Sequence, residues 1–121
     1  MRELAPCPRT PNCISSQATQ SSQRIEPLLF NGPASRAMQG LHTVLETTPQ
    51  ARIIESDPLY IHAVFNSRVF GFVDDLELLL VEPEGIIHVR SASRVGHWDL
   101  GANRRRVETL RRQFDALKVE D

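Results

Sequence analysis

Lysine is almost missing from this chain, since 13 of its 14 basic residues are arginine and Lys118 is the exception. A basic surplus is missing too, because 15 acidic residues give a formal net charge of −1. General nucleic-acid binding needs such a surplus, so a nucleic-acid partner is not expected. The sequence has no apolar run of the roughly 18–20 residues that span a membrane, and no secretory signal follows Arg2. We therefore expect a cytoplasmic protein without a membrane span.

Motifs for metals and cofactors are also scarce. Cys7 and Cys13 are the two cysteines, whereas zinc and iron–sulfur sites usually need four ligands. The sequence has no P-loop, Rossmann glycine pattern or nucleophile elbow. We predict no metal site and no cofactor. The two thiols alone leave three alternatives: inert thiols, a disulfide, or a metal or redox role assembled by the fold.

The length of 121 residues predicts a single domain, 1–121. Residues 1–33 hold five of the eight prolines, and proline removes backbone donors and disfavours helix. We expect this segment to be an irregular arm packed on the body, which residues 34–121 form. Apolar residues spaced three and four apart predict helices over 34–47 and about 100–117.

Four strands are predicted between the two helices, because alternating apolar residues are bounded there by turn signals. Their connections are short, which favours an antiparallel meander. The expected fold class is α+β, a four-stranded antiparallel meander with two helices on one face. The predicted strands cover residues 51–56, 59–66, 72–81 and 86–95.

The four-residue loop 82–85 predicts the pairing of the last two strands. It places Glu77 opposite Arg90 on one face and Leu78 opposite Val89 on the other. The second face is then an apolar core, whereas the first is polar. That polar face is either a solvated surface or a concave pocket closed by the arm, and it is expected to carry Tyr60, His62, Asp75, Glu77, His88 and Arg90.

The segment 90–101 is the least usual stretch of the sequence. It places Arg90, Ser91, Ser93, Arg94, His97 and Asp99 between a strand and a helix N-terminus. One interpretation is an anion-binding site, because helix N-termini offer free N–H groups. The other is a network in which arginines bind Asp74 and Asp75 bidentately. Asp99 is the expected helix cap, and the arginines at 104–106 are expected to form a solvated face.

Three segments, taken in order, resemble a known family. They are Pro6-Cys7-Pro8…Pro11-Asn12-Cys13…Ser15-Ser16-Gln17, Gly71-Phe72-Val73-Asp74-Asp75…Glu77, and Val89-Arg90-Ser91-Ala92-Ser93-Arg94-Val95-Gly96…Asp99-Leu100-Gly101…Asn103-Arg104. Together they resemble the bacterial and plastid family catalogued as domain of unknown function 1499, over about residues 4–117. The resemblance emphasises both cysteines, the two aspartates and the Arg-Ser-Ala-Ser-Arg stretch. Many proteins that resemble it carry the domain behind an export or membrane segment, which suits a disulfide between Cys7 and Cys13; this chain departs from them, since no such segment is expected in it.

We predict a binding module for a small polar or anionic ligand, monomeric or weakly oligomeric. Arg90 and Arg94 would supply charge, Ser91 and Ser93 hydroxyl groups. The remaining site residues are Asp74, Asp75 and Glu77, which would orient the arginines, and His62 and His88.

Two other function classes stay open. One is a hydrolase-like enzyme that pairs His62 or His88 with Asp75 or Glu77 for acid–base chemistry. The other is a protein-interaction or assembly factor that uses the proline-rich arm as its contact surface.

Overall fold

Two helices and six strands make up the protein in the computed structural model, which describes residues 2–66, 71–96 and 98–118. This arrangement confirms the α+β class. A 3-10 turn at Ser21–Gln23 precedes the second strand. In chain order the elements are β1 (Cys13–Ser15), β2 (Leu28–Leu29), α1 (Ala34–Glu46), β3 (Ala51–Asp57), β4 (Tyr60–Asn66), β5 (Val73–Val81), β6 (Ile86–Ser93) and α2 (Ala102–Lys118).

The six strands form one antiparallel sheet in the order β1-β6-β5-β4-β3, with β2 also paired to β6. The run from β3 to β6 pairs consecutively, but the sheet is larger than the predicted four strands. The arm supplies the additional strands β1 and β2, so it is not irregular throughout. Their buried residues Cys13, Ile14 and Leu28 explain the difference, because pairing with β6 satisfies the backbone while these side chains are buried.

The pairing between β5 and β6 is the predicted one. Glu77 lies opposite Arg90 and Leu78 opposite Val89, and His62 of β4 lies opposite Glu77. Leu76, Leu78 and Leu80 consequently share the face that packs against the helices, and each is at most 2% exposed. A slip of one residue would have moved these leucines to the other face.

Both helices cover that apolar face, as their spacing predicts. Their buried side chains join one core cluster with the sheet: Leu41, Val44 and Leu45 from α1, and Val107, Leu110 and Phe114 from α2. The helices meet at Gly40, where an added Cβ would lie 3.1 Å from the Phe114 ring. No helix among the described residues is long and apolar enough to cross a membrane.

The arm runs over the sheet from edge to edge. At its start, Arg2 donates to Glu55 and Asp57 of β3, with Nη2–oxygen distances of 2.6 and 3.4 Å. The pairing of β3 with β4 shifts in register between Ile53 and Glu55. Farther along, Cys7 and Cys13 form a disulfide. Of the three alternatives that the two thiols left open, the structure therefore has the disulfide.

The disulfide closes a short loop that is also held by side-chain bonds. The Gln23 amide donates to the carbonyl oxygens of Pro8 and Thr10, at 2.6 and 2.9 Å. Cys13 is completely buried and paired with Ala92 of β6. The covalent link thus ties the proline-rich loop to the edge of the sheet.

We expect the double substitution Cys7→Ser and Cys13→Ser to lower the free energy of unfolding by about 2 kcal/mol. The reason is that a cross-link over so short a loop removes this much chain entropy from the unfolded state. Urea unfolding of both proteins, with and without reductant, measures the effect. Reductant should destabilise the native protein equally and leave the variant unchanged; equal stability of all four samples would contradict the expectation.

Candidate functional site

The polar face of the sheet carries two neighbouring charge clusters. The Asp75 cluster comprises His62, Asp75 and Arg94, and the Glu77 cluster comprises Tyr60, Glu77 and Arg90. They are neighbours because Asp75 and Glu77 are two residues apart on β5, about 7 Å along the strand. Alternation along β4, β5 and β6 brings together titratable side chains that are distant in the sequence.

In the Asp75 cluster the carboxylate binds two donors at once. Arg94 donates from Nε to Oδ2 at 2.9 Å and from Nη2 to Oδ1 at 3.0 Å, a bidentate pair. The ring nitrogen Nε2 of His62 lies 2.8 Å from Oδ1. The hydrogen bond from Arg94 is the main cause that lowers the pKa of Asp75, with His62 adding to it. The guanidinium of Arg94 is meanwhile half exposed.

In the Glu77 cluster the carboxylate accepts a short hydrogen bond from the Tyr60 hydroxyl, at 2.6 Å. Burial, and then this bond, raises the pKa of Tyr60, so the residue remains a neutral phenol. The guanidinium of Arg2 stacks 3.9 Å above the Tyr60 ring. Tyr60 therefore orients Glu77 through its hydrogen bond and does not exchange protons near neutral pH.

Arg90 is held much more loosely than Arg94. Its Nη1 lies 3.7 Å from Glu77 Oε1, and its Nη2 donates to the Pro6 carbonyl at 3.4 Å. Its Nε is buried and has no hydrogen-bond partner among the residues described. The side chain is nevertheless only 14% exposed. A largely buried guanidinium with such long contacts is unusual in proteins.

His88 also lies on the polar face, but it is engaged with the arm. Its Nδ1 is 3.0 Å from Ser16 Oγ, which also accepts the Val89 N–H at 2.9 Å. Burial lowers the pKa of His88, while Glu84 opposes that shift. No role was predicted for Ser16, although it lies in the Ser15-Ser16-Gln17 motif. Just after β1 ends, the Ser16 hydroxyl accepts the Val89 N–H in place of a backbone carbonyl.

The predicted ligand residues Asp74, Ser91 and Ser93 lie on the opposite face, towards α2. Asp74 forms an ion pair with Arg106 at 2.7 Å and does not orient Arg90 or Arg94 as predicted. The cause is alternation, since odd and even positions of a strand point to opposite faces. Of the nine predicted ligand residues, six therefore lie on the polar face and three on the face towards α2.

The helix-facing group forms what we call the Asn103 network. Asn103 is completely buried, and its Oδ1 accepts from Ser91 at 2.6 Å and from Arg106 at 2.7 Å. Its Nδ2 donates to the Asn12 carbonyl, to Ser93 Oγ and to Asp99 Oδ2. The network joins the arm, β6 and α2, so its members have partners within the protein.

Arg106 and Asp99 complete the attachment of α2. Arg106 lies 4.6 Å over the Phe65 ring and is 17% exposed, so it is not part of the solvated face expected for the run 104–106. Asp99 accepts from the backbone N–H groups of Gly101 and Asn103, at 2.8 and 3.3 Å, which agrees with its predicted capping role. His97, which the sequence placed in this segment, lies outside the described residues.

Two pockets help to locate a binding site. One of about 280 Å³ is lined by residues of the arm, including Cys7, Ser15, Gln17 and Pro6, whose carbonyl accepts from Arg90. A larger one of about 590 Å³ lies between Phe30, α1 and α2, on the side of the helices. The larger pocket is remote from both charge clusters, whereas the smaller one includes Pro6, which contacts Arg90.

The chain matches, over residues 3–114, the model of a family described as protein of unknown function (DUF1499). The match covers most of the chain, and the protein therefore belongs to this family. No curated protein gives a significant match. The resemblance of the three sequence segments is confirmed, and the structure shows that one family stretch, Arg90 to Arg94, serves both faces of the sheet.

We expect Arg106→Lys to lower the free energy of unfolding by about 2 kcal/mol, because a lysine cannot reach Asp74, Ser91 and Asn103 at once. Arg105→Lys is the matched control, since Arg105 is exposed and bonds one backbone carbonyl. Chemical denaturation of the three proteins measures the difference. Equal losses in both variants would show that the Asn103 network does not depend on the guanidinium.

The lowered pKa of Asp75 predicts how Arg94→Gln changes the acid stability. Asp75 contributes stability above the ordinary aspartate pKa of about 4 and loses it as the pH falls through the lowered folded value. The stability difference between native protein and variant should therefore be constant from about pH 7 to 5 and shrink below about pH 4. Thermal unfolding across this range measures it; a difference that grows on acidification would contradict the assignment.

Proposed function

We propose that the protein is a binding module for a small anionic ligand, held on the polar face between Arg90 and Arg94. The observation that carries the proposal is the incomplete hydrogen bonding of Arg90, whose side chain is 14% exposed and whose guanidinium contacts are 3.4 and 3.7 Å long. Bonds from guanidinium to carboxylate or phosphate are normally about 2.7–2.9 Å. A ligand oxygen would supply the closer partner that Arg90 lacks.

Arg94 supports the proposal in a different way. Asp75 fixes it through Nε and Nη2, which leaves Nη1 without a hydrogen-bond partner among the described residues. The carboxylates that hold the two arginines are about 7 Å apart along β5, which suits a ligand of a few heavy atoms. The acidic groups cancel much of the positive charge, which favours an anion that accepts directed hydrogen bonds over one held by charge alone.

Binding is better supported than the hydrolase-like alternative. The His62–Asp75 contact of 2.8 Å is the pair that acid–base chemistry would require. Both oxygens of Asp75, however, are already taken by Arg94, and this lowers its pKa. A carboxylate bound in this way serves better as an anchor for the arginine than as a partner that strengthens a histidine base.

The disulfide favours an oxidising compartment as the place of this function. Disulfides form and persist there, whereas cytosolic thiols are kept reduced. Cys7–Cys13 lies in the loop that follows Pro6, the residue whose carbonyl contacts Arg90. The cytoplasmic location expected from the sequence stays a prediction that the disulfide does not favour.

Titration with inorganic phosphate, followed by NMR of the arginine Nε–H signals, tests the proposal. We expect the signals of Arg90 and Arg94 to shift together and to saturate, because both guanidiniums would bind one anion. Arg94→Lys should weaken the binding roughly tenfold, since a lysine offers no bidentate geometry.

Arg52 provides the control, because it lies on β3 opposite Val64, on the same sheet face. Arg52→Lys should leave the phosphate titration unchanged. The proposal is wrong if all exposed arginines shift alike without saturation, or if Arg94→Lys binds phosphate as the native protein does. Native mass spectrometry of the purified protein would also reveal a retained ligand.

A further inference from the structure

Four large apolar side chains are exposed at one end of the sheet. Leu100 is 86% exposed, Trp98 73%, Val95 66% and Phe72 53%. We call these four residues the apolar rim. In the described part of the chain, the other large apolar side chains with high exposure, Leu29 and Ile54, lie elsewhere, and Leu29 pairs with Ile86 at the opposite end of β6. The exposure is thus concentrated and not scattered.

The backbone holds the two segments of the rim together. The Arg94 N–H donates to the Val73 carbonyl at 3.0 Å, which continues the β5–β6 pairing beyond Ser93. Phe72 precedes Val73 and Val95 follows Arg94, so these two residues come next along the paired segments. Trp98 and Leu100 follow in the loop that leads into α2. Phe72 and Val95 therefore adjoin at this end of the sheet, next in sequence to the loop that carries Trp98 and Leu100.

Leu100 is directed outward by the structure around it. Its φ of +54° lies in the left-handed region that favours glycine. The Asp99 carboxylate binds the Gly101 N–H, and Arg105 Nη1 donates to the Leu100 carbonyl at 2.7 Å. These bonds on both sides hold a large apolar residue in an unfavourable backbone conformation with its side chain in solvent. Such conformations persist where the surroundings determine them, often at functional positions.

Two arginines follow the apolar rim at the start of α2, and Arg105 bonds the Leu100 carbonyl. Among the described residues, Arg104 and Arg105 bond backbone carbonyls and have no carboxylate partner. Their charges are therefore not neutralised by an ion pair, unlike that of Arg106. Protruding apolar residues beside uncompensated arginines match the chemistry of an anionic lipid surface, whose interior takes the apolar groups and whose headgroups take the cations.

We propose that the apolar rim docks the protein peripherally onto a membrane surface rich in anionic lipid. Trp98 would lie at the level of the headgroups, where the amphipathic indole is favoured. Leu100 would enter the boundary with the acyl chains, and Arg104 and Arg105 would bind the lipid phosphates. High exposure at a protruding end fits a lipid surface better than a groove-forming contact with a folded partner.

Trp98 is the single tryptophan of the chain and therefore reports on the site directly. The full-length protein is mixed with phosphatidylcholine vesicles that contain or lack phosphatidylglycerol. We expect the Trp98 emission to shift to shorter wavelength, and the protein to co-sediment, with the vesicles that contain phosphatidylglycerol. High salt should weaken this binding, because the arginines contribute to it.

Three variants distinguish docking through the apolar rim from non-specific adsorption to the vesicles. Leu100→Gly should bind vesicles at least about tenfold more weakly, since it removes an apolar side chain that the lipid would bury. It should still fold, because glycine suits the positive φ. Arg104→Gln with Arg105→Gln should weaken binding about fivefold for each arginine. Leu29→Ala, at the opposite end of β6, should bind as the native protein does.

The proposal is overturned if neither the emission shift nor co-sedimentation appears with the anionic vesicles. It is also overturned if Leu100→Gly binds as well as the native protein, or if Leu29→Ala loses as much binding. An emission shift that grows with protein concentration and needs no vesicles would identify the rim as an interface between copies of the chain, and would overturn lipid docking as well.

Discussion

The register between β5 and β6 is the constraint on which the rest of the structure depends. With Glu77 opposite Arg90, every leucine of β5 that needs burial faces the helices. The charged residues between them are placed on the other face by the same alternation. The apolar core, the two charge clusters and the Asn103 network are therefore consequences of one pairing, which the short loop after Val81 and the leucine pattern both favour.

The two polar systems on either side of the sheet differ in how completely they are bonded. The Asn103 network is buried under α2, and each of its side chains has close partners. A system of this kind specifies where a helix lies but leaves little for a ligand to bind. On the polar face, in contrast, Arg90 lacks close partners and Arg94 is half exposed. Buried donors without a partner are rare in folded proteins, so the two faces differ in a physically significant way.

Much of the fold could be predicted from the sequence, because its strongest signals are periodic. The leucine alternation of β5 gives its two faces, and the spacing of apolar residues gives both helices. β1 and β2 escaped prediction because strands of three and two residues in a proline-rich segment carry too little pattern to recognise. Their positions depend on the free edge of β6, which is a tertiary property.

The candidate site was predicted less well, and for two different reasons. Ser91, Ser93 and Asp74 could have been assigned to the helix side, since the alternation that places Arg90 on one face places its neighbours on the other. The part played by Asn103 and Arg106 had no comparable signal. Arg106 lies in a run of three arginines whose solvated members look identical in sequence, and the partner Asp74 that distinguishes it is 32 positions away.

The strands β1 and β2, which pair with the edge of β6, also affect whether the sheet can pair with a sheet of another molecule. With β1 and β2 on that edge, one side of the sheet ends in strands of three and two residues, and the seven-residue β3 is the long edge strand among the described elements. An open edge is a template on which a second chain can add a strand, and so a route to aggregation. The register shift between Ile53 and Glu55 interrupts the regular ladder, and Arg2 lies across Glu55 and Asp57. One continuous arm thus leaves only short strands at the first edge and places a charged side chain across the second.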